Sequence, residues 1–234
     1  MKPEFPAALA THLAESMGKM RRRYRKRLTR CQKKFSEGAV HDLRIETRRM
    51  LAMLDLLDAL RVGDSLKKTR KEFKKRLDAF DELRDTHVQL SLLKPLCRDF
   101  PEAREFNLML LRREKKLIGE LHHDIEAVKQ ARLERRLKAL EKELRKSAKT
   151  KPRKAGVSLA AAALSETFAR VVLLCRMVRR NNTKTIHQMR VAFKRFRYMS
   201  ELLQTMLPRL TKKHLRRMQE YQSMMGDIQD MEVD

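Results

Sequence analysis

A ten-residue pattern occurs twice in this chain, and the repeat restricts the fold more than any other feature. The first copy is Val40-His41-Asp42-Leu43-Arg44-Ile45-Glu46-Thr47-Arg48-Arg49, and the second is Ile186-His187-Gln188-Met189-Arg190-Val191-Ala192-Phe193-Lys194-Arg195. The offset is 146 residues (187 − 41), and it holds downstream for Met53/Met199, Leu56/Leu202 and Leu57/Leu203. A long-range repeat of this kind predicts two copies of one helical unit. Placed on a helix at about 100° per residue, Leu43, Met50, Leu54 and Leu57 form one apolar seam, while His41, Arg44 and Arg48 form a stripe on roughly the opposite side. In the second copy Met189, Phe193, Phe196 and Leu203 make the seam, and His187, Arg190, Lys194 and Arg197 the stripe. A merely solvated helix face mixes signs. These stripes hold no acid until Asp55 and Glu201, so they predict an anionic partner.

The rest of the composition agrees. Lys plus Arg number 56 against 30 Asp plus Glu, a formal net charge of +26 on 234 residues. Such an excess concerns partners: nucleic acid, an anionic membrane or another polyanion. Six Gly and six Pro are few, and with abundant charged and aliphatic residues they predict long helices. Cys31, Cys97 and Cys175 show no paired spacing and are expected to be free thiols in a reducing compartment. No run approaches the ~20 apolar residues of a membrane span, the stretch from Val157 to Leu164 being too short. The amino terminus, Met1-Lys2-Pro3-Glu4, lacks a signal-peptide pattern. The expectation is a cytoplasmic protein without membrane insertion.

The 3.6-residue period predicts helices over Ala7 to Phe35, Ala39 to Arg61, Asp64 or Ser65 to Leu93, and Glu102 to Lys146. The segment Lys149 to Gly156, basic and containing Pro152, divides a first repeat (1–148) from a second (157–234). Further helices are predicted over Leu159 to Arg180, Thr185 to Met206, and Pro208 to Met231. That gives four helices before the linker and three after it, so the second unit either borrows a closing helix or lacks one. From Lys19 to Lys34 there are ten Lys or Arg and no acid. Arg23, Arg27, Arg30 and Lys34 lie beside the seam and are candidates to face a shared cleft. Lys67, Arg70, Lys71 and Lys74, and Lys212, Lys213, Arg216 and Arg217, are further candidates. Asp85 and Asp227, in corresponding helices of the two halves, are candidates to orient a nearby Arg or His, or equally to form ordinary ion pairs.

These residues resemble the CHAD family, the conserved histidine α-helical domain: both His-x-x-Arg-x-x-x-[Arg/Lys]-Arg helices, the two later Asp-containing helices and the half-to-half spacing. The resemblance implies an all-α fold of two antiparallel four-helix bundles related by a pseudo-two-fold axis around a basic cavity. It also implies binding of inorganic polyphosphate and association with polyphosphate or storage granules. The family's basic positions map onto His41, Arg44, Arg48 and Arg49, and onto His187, Arg190, Lys194 and Arg195. Arg197, Arg23, Arg27, Arg30, Lys74 and Arg216 complete the expected binding set. The three-helix second half departs from the pattern.

Other readings start from other residues. Single-strand nucleic-acid binders stack bases on aromatics, but this chain has no Trp and three Tyr, and its nine Phe fall mostly on seams. Nonspecific nucleic-acid binding remains as a secondary partner. A phosphate-chain enzyme needs grouped carboxylates for a metal, whereas Asp78, Asp81, Glu82 and Asp85 fit pairing along one helix. His122, His123 and Glu126 supply at most an incomplete metal site. A helical scaffold that docks an acidic protein or a membrane is the third reading, for which Tyr24 and Phe35 are modest anchors. The expectation is a binding protein, not an enzyme, with neither cofactor nor metal.

Overall fold

The apolar residues spaced by threes and fours along the chain meet in the interior, and the helices that carry them set the architecture. In the computed structural model the described residues are 7–62, 66–124, 127–149, 155–179 and 181–230, with side chains at all of these except 123–124, 127–129, 155–157 and 227–230. The helices are α1 (Ala7–Lys33), α2 (Glu37–Ala59), α3 (Leu66–Ala79), α4 (Asp81–Leu93), α5 (Pro101–Asp124), α6 (Ala127–Ser147), α7 (Ala155–Arg176), α8 (Thr183–Leu203) and α9 (Lys212–Asp230). Two short 3-10 turns, Leu96–Arg98 and Gln204–Met206, precede α5 and follow α8. No strand forms among the described residues, so the all-α expectation stands.

The two motif helices lie at the centre. α2 packs on α1, α3, α4, α7 and α8, and α8 packs on α2, α7 and α9. The principal core joins Leu9, Leu13 and Met17 of α1 to Met53, Leu54 and Leu57 of α2, Leu137 and Leu140 of α6, and Met199 and Leu203 of α8. Each such side chain contributes roughly 1.5–3 kcal/mol by leaving water. A smaller core under α7, α8 and α9 contains Val171, Leu174, Met189, Phe193, Phe196 and Met225. Both predicted seams are therefore buried. Cys31 is buried, and burial pushes its thiol up to about 12, which leaves it an inert packing group.

Several boundaries differ from expectation. The predicted third helix is two, α3 and α4, because Phe80 turns inward between them, only 3% exposed and stacked on Phe35 at 6.4 Å. Asp81 and Glu82 then fall in the first turn of α4, where the helix dipole favours acids. The predicted fourth helix is also two, α5 and α6, whose junction lies outside the described residues. α7 begins and ends about four residues early, and α9 starts at Lys212, with Pro208 in the preceding turn. Gly63, Asp64 and Ser65, and most of the predicted linker, are outside the described residues. Among the described residues one helix is long and apolar enough to cross a membrane by length and composition alone: Ser158–Arg176 of α7, with mean hydropathy 1.5 and 28% of it buried. The run from Val157 to Leu164 is short, but Val171 to Leu174 extends the apolar character along the same helix.

Helix α2 is closed at both ends. Ser36 accepts a hydrogen bond from the Ala39 amide (3.4 Å), a side-chain N-cap. At the other end the Val62 amide donates to the Leu57 carbonyl (2.9 Å) while Arg61 adopts φ 56°. That left-handed C-terminal position suits glycine and strains a side chain. Arg61→Gly is expected to raise stability by about 0.5–1 kcal/mol, measured as a higher urea midpoint with an unchanged m-value.

Candidate anion-binding site

The charged residues of α2 and α8 divide into those that hold the helices together and those left to face something else. The first group lies where the helices pack. Arg49 Nε is 3.5 Å from Glu201, and Arg195 Nε is 2.7 Å from Asp55. The two pairs are reciprocal: Arg195 is Arg49 plus 146, and Glu201 is Asp55 plus 146. Asp55, whose side chain is only 7% exposed, also accepts from Arg70 at 2.6 Å. Arg49 bonds Glu46 at 2.8 Å and lies over the Tyr198 ring at 5.8 Å. Burial pulls its pKa down, but Glu201 and Glu46 outweigh that and leave it raised. Arg49 and Arg195, predicted to bind the ligand, are thus spent across the α2–α8 contact.

Two stripe residues are spent likewise. Arg44 is buried; it donates to the Leu77 carbonyl (3.1 Å) and pairs with Asp81 (2.5 Å). It satisfies a carbonyl at the end of α3 and ties α2 to the α3–α4 corner. Arg197 is also buried, bonded to Gln222 (2.8 Å) and Glu201 (2.5 Å), with its guanidinium 4.5 Å from the Tyr198 ring centre.

Arg48 is different. Its side chain is half-buried, and no hydrogen bond or ion pair joins it to another described residue. Burial is the main cause that brings its pKa down to about 10; Arg44 and Arg190 push in the same direction, while Tyr198 and Asp81 oppose them. The effect of Arg190 on Arg48 means that the stripe of α8 reaches that of α2. Arg190 itself backs onto α9, where a Cβ added at Gly226 would stand 3.9 Å from its Nη2. His187 is exposed and Lys194 half-buried, each with interactions to its neighbours. A desolvated cation flanked by two more is costly, and an anion with several oxygens would offset the cost.

His41 sits at the surface end of the α2 stripe. Partial desolvation, then Arg84 and Arg48, lower its pKa, while Asp42 and Glu37 partly offset them. Arg84 was not foreseen as part of this cluster. It pairs with Glu37 at 2.7 Å, and that bond, with one from Ser91 (3.0 Å), holds the Glu37 carboxyl below its usual range. Nothing in the periodicity marks Arg84, because it arrives from α4 through the turn at Phe80. Asp81, the partner of Arg44, was assigned to surface pairing for the same reason.

The remaining predicted residues scatter. Arg27 (2.7 Å) and Arg30 (3.3 Å) both reach Asp42, at the α1 edge of the stripe. Arg23 and Lys74 are exposed on the outer faces of α1 and α3. Arg216 lines an open groove of about 650 Å³ on α9 with Lys212, Lys213, Arg217 and Glu220. Asp85 is exposed and engaged with neighbours, and the Asp227 side chain lies outside the described residues. His122 packs edge-on against Phe35 at 4.8 Å, and the side chains of His123 and Glu126 are outside the described residues.

A family model described as the CHAD domain matches residues 19–234. Among solved structures, the crystal structure of the CHAD domain from the plant Ricinus communis matches with a TM-score of 0.74 and 15% identity, over 100% of this chain and 78% of that one. At that identity the likeness is one of fold. Among curated proteins none matches.

The division of labour among the arginines is testable. Arg49→Ala/Arg195→Ala removes both cross-helix ties and is expected to cost about 1–3 kcal/mol in chemical denaturation, since two mostly shielded acids lose a partner. Arg23→Ala/Lys74→Ala on the outer faces is expected to stay within about 0.5 kcal/mol of the parent chain.

Proposed function

The chain belongs to the CHAD domain family, and from that premise we propose that it binds inorganic polyphosphate without turning it over, where the stripes of α2 and α8 converge. The family is associated with polyphosphate binding in general. The observation that carries the reading for this chain is Arg48, a half-buried guanidinium that feels the charges of both Arg44 and Arg190 and has no ion pair with a described acid. Polyphosphate supplies what that group lacks: about one negative charge per phosphate, and oxygens matched to the arginine fork. It carries no bases, so the poverty in exposed aromatics is no handicap. Arg48, Arg190, Lys194, His41 and His187 are the contacts. Arg44, Arg49, Arg195 and Arg197 are positioning residues. A non-catalytic role is supported by the acids beside the stripes: Asp55, Asp81 and Glu201 are each held in ion pairs with arginines. In the cell such binding would place the protein on polyphosphate granules.

Arg48→Met separates binding from folding. It should weaken long-chain polyphosphate binding at least about tenfold at ~150 mM salt, as the loss of a charge-assisted contact requires. It should also stabilise the free protein by about 1–2 kcal/mol, a discounted part of what a depressed arginine pKa implies at ~1.4 kcal/mol per unit. Arg135→Ala/Arg136→Ala on α6 is the bulk-charge control. Equal loss in both variants, or displacement of polyphosphate by duplex DNA at equal charge concentration, would overturn the reading. So would phosphate release during incubation with a divalent cation.

His41 gives a proton signature. Its lowered pKa keeps it neutral in the free protein at neutral pH, and it lowers stability only as pH falls through the unfolded-state value near ~6.5. A polyanion reverses the local field and raises that pKa. Binding at pH ~6.5 is therefore expected to take up protons, measured by calorimetry in buffers of different ionisation enthalpy, and His41→Asn should reduce the uptake.

A further inference from the structure

One residue on the cationic face of α8 is not a cation. At about 100° per residue, Tyr198 stands roughly 20° from His187 and roughly 40° from Lys194, so it belongs to the stripe and not to the seam. In α2 the matching position, 146 residues earlier, is Ala52. The repeat therefore does not demand an aromatic there. A tyrosine on a polar helix face ordinarily keeps much of its ring in water, yet Tyr198 is 3% exposed.

What covers it is charge. The Arg197 guanidinium lies 4.5 Å from the ring centre and that of Arg49 5.8 Å. Cations over its face hold the ring in place. Tyr198 is also near enough to bear electrostatically on both Arg48 and Arg49. It thus stands between the arginines that tie the helices together, Arg49 and Arg197, and the one that has no ion pair with a described acid, Arg48.

The hydroxyl is the unspent part of this residue. A phenol needs an acceptor for its proton, and guanidinium groups offer donors only. Glu201, one turn further along α8, is taken up by Arg49 and Arg197. No hydrogen bond joins the Tyr198 hydroxyl to another described residue. Among the polar atoms sealed from water without a partner is the hydroxyl of Ser200, on the same helix, but not that of Tyr198, whose oxygen keeps an opening to solvent. Tyr24 shows the contrast: its ring packs against Phe73 and its oxygen accepts from Arg76 at 3.3 Å.

We propose that Tyr198 is a further binding residue of the polyphosphate site, its O–H donating to an oxygen of the phosphate that Arg48 holds. The inference rests on the polyphosphate reading and deepens it. Each phosphate of the chain presents more than one free oxygen, so one can meet the guanidinium fork while another takes the phenol proton. A donor already pinned between Arg49 and Arg197 loses little further freedom when the ligand arrives.

The test uses the tyrosines themselves. The chain has no Trp and three Tyr, so its intrinsic emission reports on Tyr24, Tyr198 and Tyr221. A phenol that hydrogen-bonds to phosphate loses emission. Saturating long-chain polyphosphate at ~150 mM salt is expected to lower the emission of the parent chain. Tyr198→Phe should abolish most of that drop, while Tyr221→Phe, on α9, keeps it. Tyr198→Phe should also weaken binding about tenfold, as the loss of one hydrogen bond to a charged group requires. Its helicity and urea midpoint should stay parental, because the hydroxyl holds nothing in the free protein. Parental affinity in Tyr198→Phe beside a weakened Arg48→Met would overturn this inference and leave the polyphosphate reading standing. A parent chain that does not bind polyphosphate overturns both. A lower urea midpoint in Tyr198→Phe would assign the hydroxyl to the fold, and an emission drop that survives in this variant would place the response at another tyrosine; either result overturns the inference.

Discussion

The reciprocal ion pairs between α2 and α8 are what the rest of the structure depends on. Each motif helix supplies one arginine and one acid, and each arginine reaches the acid of the other helix, Arg49 to Glu201 and Arg195 to Asp55. Between them Met53, Leu57, Met199 and Leu203 are almost entirely out of water. Charge pairing fixes how the helices meet, and apolar burial supplies most of the energy. With α2 and α8 held this way, Arg48 and Arg190 come within range of one another. The cost of that approach falls on the site, where an anion can offset it.

A molecule this basic does not use its cations uniformly. Arg21 serves Glu134 and Glu141 between α1 and α6. Arg76 joins Glu72 to the hydroxyl of Tyr24, a ring that packs edge-on against Phe73. Arg44 and Arg197 look like ligand contacts on a helical wheel and are tension members in space. Counting positive charges therefore overstates the site. The informative quantity is how far a guanidinium is withdrawn from water without gaining an acid, and among the stripe arginines Arg48 stands out by it.

Much of the fold was legible because 3.6-residue periodicity reports burial directly. Leu43, Met50, Leu54, Leu57, Met189 and Leu203 were placed on seams from spacing alone and are buried. The break at Phe80 was not legible, since nothing around it is Gly or Pro. It arises because an aromatic turns in to stack on Phe35, which lies on another helix. The site was half legible. The stripes of His41, Arg44, Arg48, Arg190 and Lys194 follow from the repeat, but the acids that claim Arg44 and Arg195 do not. Asp81 comes from another helix, and Asp55 lies across the α2–α8 contact from Arg195. Helical position names a face, and only the neighbouring helices decide what that face is spent on.

One consequence concerns where the folding unit starts. The family match begins at residue 19, whereas α1 begins at Ala7, and Leu9, Leu13 and Met17 are wholly enclosed ahead of that boundary. His12 lies within hydrogen-bonding distance of the Leu202 carbonyl, 2.7 Å away, so the opening turns of the chain clasp the far end of α8. Trimmed to the recognised boundary, an expressed fragment would lose a plug of aliphatic volume and a latch between its first and eighth helices. The stretch that defines membership is shorter than the stretch that makes a stable body.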